Sequence, residues 1–405
     1  MQRLCLAIIL CCLAQLLPTH AATAQAKPPA RTPASRTNEY AAIDKTALQL
    51  PDTAAASTDG IAAYINTHFN SQKEKARAAF IWIASNIRYD IDNMFALNFY
   101  EKKEEKISKA LKARTGICEN YAALFDDICA KTGIKSCMVE GYTRQNGFTD
   151  YIPHAWCAAL IDTTWYMFDP TWGSGYANNG KFISRINNQY FLVPPAVLVK
   201  SHMPFDYLWQ CLYFPITSQE FYEGKTQLNA GKPFFNYPDS IAAFEKLDKT
   251  AAWAATADRI ERNGIKNTMA FERLRIIRTQ IEIEKQNKAL EKQKQAAELY
   301  NSAVVDFNNS VHLVNEFIEY RNRQFRPDKP DSAIQAMIDT PAGLLKIATG
   351  KLDGMQDVDA TMAALIDSFR KQLGDVNTRI EEQQTWLKKY FARGKLFRKV
   401  MFAQH

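Results

Sequence analysis

The stretch Arg114-Thr-Gly-Ile-Cys-Glu-Asn-Tyr-Ala-Ala-Leu-Phe125 constrains this chain most. Thr115 and Gly116 break the charged helical pattern that precedes them, and from Cys118 apolar residues recur at Ala122, Phe125 and Cys129, one face of a helix. Gly133, after Lys131-Thr132, suits the C-terminal cap of that helix. Residues 135–143, 154–162 and 165–169 follow as short β-branched or aromatic runs divided by polar turns. A buried helix followed by consecutive strands predicts an antiparallel sheet packed on the helix, an α+β fold. The turn Asp162-Thr163-Thr164 makes a hairpin of the last two strands, with Asp162 facing Trp165. Carried to the open end, that register sets His154 opposite Gly173, beyond Asp169, so a twist, bulge or slip is needed for His154 and Asp169 to meet.

These positions matter because of the chemistry they carry. Cys118 falls in the first turn of its helix, where the positive end of the dipole favours thiolate over thiol. A thiolate nucleophile needs a proton-handling partner and a group to orient that partner. Pro153-His154-Ala155-Trp156 and Phe168-Asp169-Pro170-Thr171-Trp172 supply an imidazole and a carboxylate. Cys118 as nucleophile, His154 as acid and base, and Asp169 as the orienting anion would form an acyl-transfer site. The backbone N–H of Cys118 is one oxyanion donor, because helix-start amides have no intrahelical acceptor. The second donor stays open among Tyr89, Trp82 and Asn120. Singly, each residue also has a plain structural role: a core cysteine, a satisfied histidine beside tryptophan, an aspartate that forms a turn or cap before proline.

The remainder of the chain frames this site. Arg3 and the apolar run Leu4–Leu17, followed by Ala22-Thr23-Ala24, have the pattern of a signal peptide over 1–24. Ile8-Ile9-Leu10 lack the small residue expected before a lipidated Cys11 or Cys12. Residues 25–37, rich in Ala, Pro, Thr and Arg, read as a flexible leader. Ser57-Thr58-Asp59 caps a helix through Ile61, Tyr64 and Ile65, and 73–87 is helical with Ala76, Ala79, Phe80, Ile83 and Ile87 on one face. Residues 101–113 alternate Lys and Glu and read as a solvated helix. Tyr190–Val199 has strand character interrupted by Pro194-Pro195, and 201–221 is aromatic and expected to wrap over the first domain.

After Pro238 the composition turns helical through 405. A single apolar column runs through Met269, Ile276, Ile283, Leu290, Ala297, Val304, Val311 and Ile318. A two-column seam joins Ile366, Leu373, Ile380 and Leu387 to Met362, Phe369 and Val376, predicting a helical bundle or antiparallel coiled coil that offers a surface for a protein partner. A shorter helical connector lies around Pro341, between the long helices. The end is basic, with Lys388, Lys389, Arg393, Lys395, Arg398 and Lys399 among aromatic and aliphatic residues. It suits weak contact with an anionic surface or a plain solvated helix end.

Several chemistries find no support in the pattern. A net charge of +7 over 405 residues does not imply nucleic acid. No Gly-rich phosphate loop calls for a nucleotide cofactor, and no later run is long enough to span a membrane. His68, His154, His202 and His312 lack metal-ligand spacing, so no metal is expected. Without the leader, Cys118, Cys129, Cys137, Cys157 and Cys211 remain; four of them either pair, with a Cys137–Cys157 cross-strand bridge as one option, or are small buried hydrophobes.

The segments Lys75–Asp90, Thr115-Gly-Ile-Cys-Glu-Asn-Tyr-Ala122, His154-Ala-Trp156 and Phe168-Asp-Pro-Thr-Trp-Gly173, with Ser201-His-Met-Pro204 and Trp209-Gln210, together resemble the transglutaminase-like superfamily, in the branch of the kyphoscoliosis peptidase. The resemblance covers about 40–224 and implies a papain-like α+β core over a domain 38–226, with a triad that falls on Cys118, His154 and Asp169. It implies a protein or peptide amide substrate. It does not choose among peptidases, cross-linkers, deamidases and non-enzymatic scaffolds, because a fold hosts several chemistries. The expectation is a secreted or periplasmic thiol enzyme, with an envelope scaffold carrying an idle thiol as the alternative.

Overall fold

In the computed structural model, which describes residues 39–402, capping residues set where the first helices begin; the signal-peptide and leader assignments lie outside the described residues. Helix α1 (Ala41–Ala47) is followed by α2 (Thr58–His68), which starts where Ser57 Oγ accepts the Gly60 N–H at 3.1 Å. Ser71 and Glu74 form a reciprocal capping box that starts α3 (Gln72–Asn86). Strand β1 (Arg88–Tyr89) and helix α4 (Lys103–Ala113) follow. Arg114, in the left-handed region at φ 52°, turns the chain into β2 (Thr115–Gly116), parallel to β1. Helix α5 (Cys118–Lys131) comes directly after.

The main sheet is built from β3 (Ser136–Gln145), β4 (Phe148–Ile161) and β5 (Thr164–Phe168). Beyond these come α6 (Pro170–Ser174), the β6 (Gly175–Asn178) and β7 (Lys181–Ser184) hairpin, α7 (Pro195–Leu198) and β8 (His202–Pro204). The strand order is β5-β4-β3-β8, antiparallel throughout, so the expected α+β arrangement is present. The strand read over 190–199 reduces to one bridge, Met167 to Val193, because Pro194 and Pro195 have no N–H for a ladder and open α7 instead.

The two sheet faces bury separate cores. Ala155, Cys157, Ala159 and Phe168 pack with Tyr121, Ala122 and Phe125 of α5 and with Phe80 and Ile83 of α3. Val139, Trp156, Ala158 and Met167 face Val193, Leu198, Leu208, Cys211 and Ile241, so the aromatic segment after β8 does wrap the sheet. The cysteines from Cys118 to Cys211 are all free. The cross-strand bridge fails on register: Cys137 pairs with Ala158 and Cys157 with Met138, one residue out of step, so their side chains point to opposite faces.

The chain divides into two compact units, Met1–Ile281 and Glu282–His405. The first extends past the composition change at Pro238. Helices α8 (Ser218–Tyr222) and α9 (Tyr237–Phe244) lead to α10 (Lys249–Asn263), and α11 (Thr268–Asn322) begins within this unit. Ala257, Ile260, Met269, Leu274 and Ile277 pack with Tyr142, Met203, Phe205 and Phe221. In the second unit the rest of α11, α12 (Asp331–Asp353) and α13 (Ala360–Ala392) share one core, with Val314, Phe317, Ile338, Leu345, Leu352 and the predicted seam Ile366, Leu373, Ile380 and Leu387 buried together. Pro341 lies inside α12, a continuous helix of 23 residues that is the shorter helical connector between α11 and α13. Ile283 and Leu290 of the long apolar column are exposed. At the basic end, Arg398 turns inward to a two-bond pair with Asp331 at 2.7 and 2.8 Å. Among the described residues, no helix is long and apolar enough to cross a membrane.

Candidate active site

Cys118 is the first residue of α5 and is 2% exposed. The preceding Ile117 cannot cap the helix with a side-chain oxygen, and Asn120 does so from inside. Its Oδ1 accepts the Ile117 N–H at 2.9 Å, and its Nδ2 donates to the Lys106 carbonyl at 3.0 Å. A Cβ on Gly116 would come within 2.7 Å of Asn120 Cβ, so glycine is required for this fold-back. Glu119, next to the cysteine, is buried against the Lys106 ammonium at 2.5 Å. Burial pushes the Glu119 carboxyl up, although Lys106 opposes the shift. The solvated helix expected over 101–113 thus turns one lysine into the core beneath the α5 start.

His154 and Asp169 come together through a slip in the predicted hairpin. Ile161 faces Thr164 and Cys157 faces Phe168, so the turn is Asp162-Thr163, with Asp162 at φ 56°. Carried past β5, this register sets Asp169 opposite Trp156, one diagonal step from His154, where cross-strand side chains can still meet. His154 Nε2 lies 2.8 Å from Asp169 Oδ2. Asp169 is also the N-cap of α6, its Oδ1 accepting the N–H groups of Thr171 at 2.9 Å and Trp172 at 3.0 Å. The helix cap and the contact with His154 are held by one carboxylate using its two oxygens.

A second histidine shares that carboxylate. His202, 1% exposed on β8, places Nε2 3.1 Å from the same Oδ2, and its Nδ1 lies 2.8 Å from Ser201 Oγ. In the sequence His202 stands only among the scattered histidines and within Ser201-His-Met-Pro204. No local pattern marks it, because it reaches the site by β8 pairing with the outer edge of β3, Gly141 opposite Pro204.

The electrostatics separate the two rings. Burial disfavours the charged form of His154, but the Asp169 charge and hydrogen bond and the nearby Cys118 outweigh it and raise its pKa to about 10. His202, fully buried, has its pKa lowered by desolvation against a weaker pull from Asp169. Asp169 is 0% exposed, and burial pushes its carboxyl up. The His154 charge and hydrogen bonds from both rings prevail and hold it well below the usual carboxylate range. With Nε2 committed to Asp169, Nδ1 is the His154 ring nitrogen that remains for a further partner.

Of the three open oxyanion donors, Asn120 is committed to the helix cap. Trp82 belongs to the core, with the Arg114 guanidinium 5.2 Å from its ring centroid. Tyr89 is buried, and burial first, then Cys118, Tyr121 and Asp169, push its hydroxyl up. His154, Asp169 and His202 present ligand-type atoms within 4.8 Å of one another. Both Nε2 atoms address the same Oδ2, so the trio forms a proton network that a cation would have to break on both sides.

Residues 59–170 match the Transglut_core family, described as the transglutaminase-like superfamily. Among curated proteins the chain is similar to kyphoscoliosis peptidase of Mus musculus, 32% identical over 38% of this chain and 24% of that protein. It is likewise similar to kyphoscoliosis peptidase of Homo sapiens, 30% identical over 42% of this chain and 26% of that one. The match therefore spans about a quarter of the length of these relatives. A solved chain described as the crystal structure of a TGase aligns over 40% of this chain and 39% of its own, at 17% identity and a TM-score of 0.23.

Proposed function

This chain carries a domain of the transglutaminase-like superfamily, in the branch of the kyphoscoliosis peptidases, and from that premise we propose that it is a cysteine-dependent acyl-transfer enzyme acting on protein or peptide amide bonds. In this reading Cys118 Sγ attacks the amide carbonyl and forms a thioester. The His154 imidazolium gives its Nδ1 proton to the departing amine. The neutral ring then takes a proton from water or from an acceptor amine, whose attack releases the acyl group and regenerates the thiolate. Asp169 keeps the ring in the tautomer with Nε2–H toward the carboxylate and stabilises the imidazolium. The Cys118 N–H, free of an intrahelical acceptor, faces the developing oxyanion. Hydrolysis and cross-linking share the thioester and differ in the acceptor that reaches it.

The observation that carries the proposal is the 2.8 Å His154–Asp169 contact in a buried setting, with Cys118 among the groups that act on the same ring. Iodoacetamide labelling at neutral pH tests it: Cys118 reacts faster than a free thiol, and His154→Ala removes the advantage. A Cys118 no faster than free cysteine would end the enzymatic reading. The rival, a scaffold with an idle thiol and a helical interaction arm, draws on the 2% exposure of Cys118 and predicts that slow outcome. The enzyme acts outside the cytoplasm after cleavage behind Ala24, and N-terminal sequencing of the mature protein beginning at Gln25 tests that placement.

A further inference from the structure

We propose that His202 is a positioning residue for the acyl-transfer reaction: held by Ser201, it donates a neutral Nε2–H to Asp169 Oδ2 and fixes the carboxylate in the orientation that serves His154. The inference rests on the Cys118–His154–Asp169 reading and adds a fourth side chain and a fifth behind it.

The proton positions follow from the chemistry of the partners. An ionised carboxylate only accepts, so the His202 nitrogen 3.1 Å from Asp169 Oδ2 carries the proton. A neutral ring then has a bare Nδ1. The Ser201 hydroxyl, 2.8 Å away, donates to it in preference to the Leu198 carbonyl at 3.3 Å. The order of donation runs Ser201 Oγ–H to His202, His202 to Asp169, with His154 on the other side of the same oxygen. Packing forbids the ring any other position. Trp172 lies edge-on at 4.6 Å and Trp156 at 5.1 Å between centroids.

The arrangement has a purpose that burial alone does not require. A carboxylate with one imidazolium partner can rotate and turn its oxygen away from that partner. Asp169 has Oδ1 pinned by two backbone amides and Oδ2 shared between two rings, so no freedom remains. Gly141 makes this geometry accessible: a Cβ there would sit 2.1 Å from the Met203 carbonyl and 2.6 Å from Trp156 Cη2, and would push β8 with His202 off the sheet.

Two amide variants isolate the role. In His202→Gln the amide nitrogen reaches about as far as Nε2 and donates to Asp169. In His202→Asn it ends near the Nδ1 position and cannot. The loss of a hydrogen bond to a charged group predicts Cys118 alkylation roughly tenfold or more slower in His202→Asn and close to wild type in His202→Gln. Imidazole nitrogen NMR adds a readout that general loosening would not move. The His154 titration midpoint falls in His202→Asn, as Oδ2 turns from the ring, and returns in His202→Gln, while wild-type His202 stays neutral with its proton on Nε2. Equal rates and midpoints in the two variants, or a charged His202 at pH 7, overturn the inference. A wild-type Cys118 that labels no faster than a free thiol refutes instead the acyl-transfer reading on which it rests.

Discussion

Replacing Asp169 by asparagine changes one oxygen for an NH₂ group and keeps the volume. The backbone amides of Thr171 and Trp172 need an acceptor, so the remaining oxygen stays at the Oδ1 position. The new NH₂ then faces both His154 Nε2 and His202 Nε2, each of which donates in the wild type. Both rings must turn to the opposite tautomer to accept from it. His154 then presents Nδ1–H to Cys118 and has no lone pair with which to take a proton, and without the carboxylate charge it no longer stays cationic at neutral pH. A free thiol of pKa about 8.5 is roughly 1% thiolate at pH 6.5, so alkylation at that pH should fall by up to about 100-fold. Turnover should fall further, by about 10³–10⁴, as expected for a tautomer reversal in a triad. Two hydrogen bonds to a buried charge contribute roughly 1.5–3 kcal/mol each, and the amide's donors recover about half, leaving a loss of about 1.5–3 kcal/mol in urea unfolding. Labelling at pH 6.5 and the urea midpoint measure the two effects. Wild-type values for both in Asp169→Asn would refute the proton network as drawn.

Further outcomes are expected elsewhere. Lys106→Met leaves Glu119 buried without its cation and should cost about 3 kcal/mol at pH 8, less as pH falls and the carboxyl, already raised by burial, protonates; Lys106→Met with Glu119→Gln should recover most of it. Gly141→Ala should lose at least about 1–3 kcal/mol through overpacking and slow Cys118 labelling as β8 shifts, both read from one set of urea melts and labelling rates. The two histidines give stability opposite pH slopes. His154, raised to about 10, contributes stability that is complete below about pH 6.5 and is lost as pH climbs through about 10. His202, lowered, binds its proton more readily unfolded, so its contribution fades as pH falls below about 6.5. Melts across pH 5–10 should show the alkaline slope diminished in His154→Gln and the acid slope diminished in His202→Gln.

The sequence by itself determined the local devices. Thr115-Gly116 before an apolar helical face put Cys118 at a helix start, and Asp169-Pro170 marked a cap that the α6 amides fill. Alternating runs after Gly133 gave the strands that carry His154 and lead to Asp169, and the heptad seam from Ile366 to Leu387 is buried as its spacing requires. These features depend on residues a few positions apart, where periodicity and capping act. The tertiary structure decided the rest. The slip of one pair in the hairpin, the inward turn of Lys106 and the arrival of His202 from the far edge of the sheet join residues whose separation in sequence carries no signal. Each is settled by whether a buried charge or polar atom finds a partner, and that is a property of the assembled core and not of any window of the chain.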